Sequence, residues 1–199
     1  MRRHTDQRYA PDMTRHLDIP QAVAVLRGGG VIAYPTEAVW GLGCDPFNPA
    51  AVRRLLKIKQ RDESKGLILI SADLAQIAAF IDLDALPIER LKEVRASWPG
   101  PFTWALPCPP RIPSWLRGAH RTIALRISAH KRVVALCNAF GGPIVSTSAN
   151  LAGREPARDI DKLDLFLLAQ IDGVLDGVTG GLDAPTPIRD AASGMVLRG

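Results

Sequence analysis

Apolar and polar positions along this chain fall into short blocks whose period changes from one block to the next. Residues 1–16 are polar, arginine-rich and without period, and read as an N-terminal tail. Asp18 then stands at a helix N-cap position, with Pro20 in the first turn and Gln21 three residues after the cap, the spacing of a capping box. Ala22, Val23, Val25 and Leu26 supply that helix with an apolar face. Gly28-Gly29-Gly30 ends it, because glycine tolerates the backbone that follows a helix C-terminus. Val31–Tyr34 is apolar throughout and stopped by Pro35, as a buried strand would be. A second helix starts at Asn48-Pro49 and carries Val52, Leu55, Leu56 and Lys59 at helical spacing. Residues 67–70 read as another buried strand, with helices around 73–80 and 87–97. Further strands are expected at 102–106, 122–127 and 143–146, a helix at 130–139, a helix near 160–169, and short strands near 173–176 and 194–197.

Strands alternating with helices, several of them apolar on both faces, predict an α/β domain built on an open twisted mixed sheet with flanking helices. With 199 residues, no repeat and no linker, residues 17–199 are expected to form one domain. No run reaches the roughly 18 apolar residues of a membrane helix. The N-terminus has no apolar core of a secretory signal, so a cytoplasmic protein is expected. Cys44, Cys108 and Cys137 show no ligand spacing, and the four histidines make no dyad or metal cluster. The net charge of +5 is compatible with a polyanionic partner such as RNA, and equally with a modest arginine surplus.

The candidate chemistry is concentrated in a few segments. Ser146-Thr147-Ser148-Ala149-Asn150 ends a buried strand with hydroxyls, an amide and accessible backbone N–H groups, the equipment for holding an anion or nucleotide. Lys59-Gln60-Arg61 closes a helix, with Lys65-Gly66 just beyond; the basic residues either complement the helix dipole or clamp phosphate. Thr36 in Pro35-Thr36-Glu37 either bonds its own turn or faces a ligand at the sheet edge. Thr122 and Arg126 share one face of a strand, and Arg126 needs an anionic partner there, a structural carboxylate or a substrate one. P-loop, Rossmann, nucleophile-elbow and zinc-protease motifs are absent.

Taken in order, 33–45, Lys59-Gln60-Arg61, 65–70, Trp98-Pro99-Gly100-Pro101, 146–150 and Ile188-Arg189-Asp190 make the chain resemble the YrdC/TsaC family of threonylcarbamoyl-AMP synthases, in its short bacterial form. The resemblance implies a positively charged concave surface. It also implies an enzyme that joins L-threonine, bicarbonate (or CO2) and ATP, with Mg2+, into threonylcarbamoyl-AMP and pyrophosphate. A downstream complex then modifies tRNA beside the anticodon. By the same resemblance Lys59 and Arg61 are catalytic. Arg61, Lys65, Thr122, Ser148, Asn150 and Arg198 face ATP, and Thr36, Arg126, Ser146 and Thr186 face threonine. Asp62 departs from the proline many relatives carry after the arginine, and the extra domain of longer relatives is not expected after Gly199. A non-catalytic RNA-binding module of the same fold is the alternative.

Overall fold

Helix α1 (Ile19–Arg27) begins where its sequence places it. The Asp18 carboxylate accepts the Gln21 backbone N–H at 2.8 Å, and the Gln21 side chain accepts the Asp18 N–H at 3.0 Å. The computed structural model describes residues 15–151 and 153–198. Of the expected tail, residues 1–14 lie outside the described residues, while His16 already belongs to a strand and its imidazole meets the Asp176 carboxylate at 2.6 Å.

Among the described residues there are ten strands: β1 (His16–Leu17), β2 (Ile32–Pro35), β3 (Trp40–Gly43), β4 (Ile68–Ser71), β5 (Thr103–Pro107), β6 (Thr122–Ile127), β7 (Ile144–Ser148), β8 (Gly173–Leu175), β9 (Ile188–Asp190) and β10 (Val196–Arg198). They form one mixed sheet in the order β1-β8-β2-β3-β7-β4-β6-β5-β9-β10. Its centre alternates in direction, with β7 antiparallel to both β3 and β4, and β4 parallel to β6.

Alternation within the strands divides the core in two. Val31, Ala33, Leu69 and Val145 join one apolar cluster with Val52 and Leu55 of α2 (Pro49–Lys59). Ile32, Tyr34, Ile70 and Ile144 join another with α1 and with Val133, Leu136 and Cys137 of α5 (Lys131–Phe140). Here α3 (Ile88–Ala96), α4 (Ser114–Arg117) and α5 (Lys131–Phe140) precede α6 (Leu165–Leu168). Among the described residues no helix is long and apolar enough to cross a membrane.

Several elements differ from expectation. Residues 73–80 form only a 3-10 turn at Ala78–Phe80. The Asp73 carboxylate accepts the Gln76 N–H, and the Gln76 side chain accepts that of Ala72, so side chains take the bonds a helix would use. The expected helix at 160–169 is a 3-10 turn, Ile160–Lys162, followed by the single-turn α6. Also unexpected from the sequence are α4 and the strands β1, β3 and β9. In β3 the reason is Gly43, where a Cβ would lie 2.7 Å from both the Tyr34 ring and the Val145 carbonyl. Close strand approach demands the residue that weakens a strand signature.

Candidate active site

Two hollows open side by side over β4, β6 and β7. The larger is a cleft of about 470 Å3, lined by Arg61, Lys65, Thr122, Ser146 and Arg198 among others. The smaller, a cup of about 40 Å3, is walled by Thr36, Arg126, Ser146, Ser148, Thr186 and Arg198. Ser146, Thr147, Ile68 and Arg198 belong to both, so the two spaces share a wall.

Lys59 and Arg61 come from the end of α2, whose N-terminus is capped by Asn48 accepting from Ala50 and Ala51. Gln60 between them takes a left-handed conformation, φ 51°, which turns the chain out of the helix. Lys59 is buried, and its ammonium donates to the Ser148 carbonyl at 2.6 Å, to the Asn150 side-chain oxygen at 3.0 Å and to the Asn150 carbonyl. Burial, reinforced by Arg61 and Arg198, lowers its pKa to about 8. The structure thus places the Lys59 charge inside the 148–150 turn, where the sequence left it between a partner for the helix dipole and a phosphate clamp.

Arg61 remains at the cleft. Its Nη2 donates to the Gly66 carbonyl at 2.9 Å, while Nε is buried without a partner. Burial and then Arg198 lower its pKa. Asp62 turns away to cap the following 3-10 turn, Glu63–Lys65, by accepting the Ser64 N–H at 2.7 Å; Ser64 is also the main cause of its lowered pKa. The loop carrying Lys65 is laced to residues 116–119: Leu67 donates to the Leu116 carbonyl at 2.8 Å and Ala119 to that of Ser64 at 2.9 Å.

The shared face predicted for β6 is seen directly. Thr122 and Ala124 line the cleft, and Arg126 lines the cup. Arg126 is buried and Nη1 donates to the Thr186 hydroxyl at 2.6 Å. A structural carboxylate is present as well: Glu37 Oε2 lies 3.6 Å from Nη1, too far for a hydrogen bond. The Thr36 hydroxyl donates to the Val39 carbonyl at 2.7 Å, the local turn bond, while its side chain still walls the cup. Ser148 faces the cup and not the cleft, and Asn150 lines neither; its amide donates to the Leu151 carbonyl at 3.1 Å and to that of Arg154.

Sequence reasoning gave no role to Arg117, His120 or Asp190, all of which line the cleft. Arg117 is engaged by backbone, donating to the His120 carbonyl at 2.8 Å, and Asp190 accepts from Ser193 at 2.7 Å. Glu37 was equally unassigned, although the buried arginine already called for a carboxylate. Cys44 and Cys137 are buried thiols, the latter pushed up to about 12 mainly by desolvation. Among the described residues no three His, Cys, Asp or Glu side chains converge as metal ligands.

A single mixed sheet whose central strands carry a cleft with Arg61, Lys65 and Arg198 joined to a hydroxyl-lined cup defines an α/β protein with a composite candidate site. Residues 24–199 match the model of the Sua5/YciO/YrdC family, described as "Telomere recombination". The chain belongs to that family. It is 60% identical over 184 residues to the threonylcarbamoyl-AMP synthase of Stenotrophomonas maltophilia (strain K279a), covering 92% of this chain and 99% of the relative. Among solved structures it is similar to E. coli YciO, with TM-score 0.78, 28% identity and 92% of each chain covered. It is likewise similar to P. abyssi Sua5 complexed with L-threonine, with TM-score 0.78 and 27% identity over 88% of this chain. This chain spans about half the length of that Sua5, 53% of it.

Proposed function

We propose that this protein is a threonylcarbamoyl-AMP synthase, joining L-threonine, bicarbonate or CO2 and ATP and releasing pyrophosphate. One observation carries the reading: the cationic cleft and the small polar cup share Ser146, Thr147 and Arg198, so a nucleotide and an amino acid would meet at a common wall. The names of the S. maltophilia relative and of the threonine complex of Sua5 support it.

In this scheme the threonine carboxylate bonds Arg126, and the amine captures CO2 as a carbamate. A carbamate oxygen then attacks the α-phosphorus of ATP, and the P–O bond to pyrophosphate breaks. Nucleophile and triphosphate are both anionic, so the protein's task is alignment and charge cancellation. Arg61, Lys65 and Arg198 supply positive charge from the cleft. Lys59 acts indirectly, by fixing the 148–150 turn. Magnesium would enter with the triphosphate, since the carboxylate of the cleft, Asp190, already accepts from Ser193. The product would serve a tRNA-modifying complex in the cytoplasm.

The test is pyrophosphate release from MgATP with and without L-threonine and bicarbonate. Release that needs both supports the synthase; tRNA binding without such release would favour a non-catalytic RNA-binding module.

A further inference from the structure

Tyr34 is fully buried and packs in one cluster with Ile144, and alternation along β7 puts Ser146 on that same face of the sheet. The ring lies across the glycines of β3. A Cβ at Gly43 would stand 2.7 Å from its Cε1, and one at Gly41 would stand 3.4 Å from Cζ, the carbon that bears the hydroxyl. Gly41 walls the cup, so the phenol sits directly behind that wall. Its hydroxyl donates to the Val145 carbonyl at 3.4 Å, and the Ser146 side chain hydrogen-bonds it as well. Burial raises the phenol pKa far above its ordinary value and the Ser146 bond offsets only part of the rise, so the group stays neutral. A carbonyl can only accept, so the phenol has committed its one proton to Val145. Ser146 is then the donor in its bond to Tyr34, and its lone pairs are what it presents to a ligand. The other polar groups of the cup include the donors Arg126 and Arg198, and the Thr186 hydroxyl already accepts from Arg126.

Resting on the reading above that the cup takes the amino acid, we infer that Tyr34 is a positioning residue acting through Ser146. It takes the serine proton and so fixes Ser146 as a hydrogen-bond acceptor for the amino group of the substrate. The ammonium of the bound amino acid and the N–H of its carbamate both have a proton to donate, so one acceptor serves before and after capture of CO2. Ser146 borders both hollows, which holds that nitrogen at the wall facing the cleft. Without the phenol the serine hydroxyl is free among its staggered rotamers, and its own proton can turn toward the N–H groups it should accept.

Calorimetric titration of the whole protein with L-threonine, arranged as a double-mutant cycle, tests this. Tyr34→Phe removes only the phenol oxygen and should weaken threonine binding about fivefold to tenfold, the worth of one hydrogen bond. Ser146→Ala should weaken it about as much, and adding Tyr34→Phe to Ser146→Ala should cost less than about twofold more, because the phenol acts only through that serine. A hydroxyl that serves folding alone would lower the urea midpoint and leave the threonine affinity of folded Tyr34→Phe unchanged, which overturns the inference. Losses that simply multiply in the double variant overturn it too. If Tyr34→Phe does not fold, proton NMR of the wild type decides. A Tyr34 hydroxyl proton with a nuclear Overhauser contact to the Ser146 hydroxyl supports the inference, and its absence removes the contact on which the role depends. If wild-type threonine binding is intact and the losses multiply, only the role of Tyr34 falls. If threonine neither binds nor promotes pyrophosphate release, the synthase reading falls with it.

Discussion

The Lys59 ammonium and the Ser148 carbonyl oxygen lie 2.6 Å apart, joining the end of α2 to the end of β7 across 89 residues of sequence. With the Asn150 oxygens also accepting, this one side chain holds the turn in place. Replacing it by methionine takes a donor from two backbone carbonyls, of which that of Ser148 keeps the Asn150 N–H at 3.0 Å. We expect Lys59→Met to lose about 1–3 kcal/mol in urea unfolding, together with most threonine-dependent turnover. Unchanged stability would sink the positioning role.

The same group sets a pH dependence. Its folded pKa, about 8, lies below its ordinary 10.5, so between those values the unfolded chain holds the proton that the folded chain has released. Its contribution to stability is fullest above pH 10.5 and is lost as pH falls through 8. The ammonium that grips the turn disappears in the opposite direction. Activity should fall above about pH 8 while this contribution to stability rises. Lys59→Met should flatten the rise; an identical stability profile in both proteins would refute it.

Arg61 should separate catalysis from folding. It donates to two neutral acceptors, the Gly66 carbonyl at 2.9 Å and the Lys65 carbonyl at the long distance of 3.5 Å, at a half-exposed position, so Arg61→Ala should change stability by about 1 kcal/mol. Turnover should fall by about 10²–10³, the effect of removing one charge-stabilising donor. Turnover near that of the wild type, with folding intact, removes Arg61 from the chemistry.

Gly118 links backbone geometry to the cleft. Its φ is +66°, and an added Cβ would lie 2.2 Å from the Ser64 carbonyl oxygen, beside the loop that carries Lys65. Gly118→Ala should cost about 1–3 kcal/mol and raise KM for ATP more than KM for threonine. Steady-state kinetics at saturating levels of each co-substrate would check this; an equal rise in both constants argues against local displacement.

The cup should also distinguish threonine from serine. A missing methyl contact is worth about 1–3 kcal/mol, so kcat/KM for serine should be lower by about 10–200-fold. Equal use of the two amino acids would show that the cup does not hold the side chain.

Much of this architecture is legible in the sequence wherever the determinant is local. The Asp18–Gln21 box and the Asn48 cap fix helix starts, and the i, i+4 spacing of Thr122 and Arg126 puts both on the face of β6 that carries the cleft and the cup. What was illegible depends on distant partners. Lys59 looks like a surface cation until residues 148–150 arrive, and Glu37 looks like a turn residue until Arg126 stands beside it. β3 was hidden by glycines whose purpose, letting β2 and β7 approach, appears only in the assembled sheet.

Thr186 donates no framework to the core, yet it caps Arg126, and Arg198 from the last strand walls both cleft and cup. During synthesis these residues emerge after every strand of the sheet centre. A nascent chain ending before Thr186 has the sheet centre in hand but an arginine with no hydroxyl acceptor and a β5 edge with no neighbour on one side. Completion of the cup therefore waits for residues 186–198: the order of translation itself withholds the candidate site until that segment has been made.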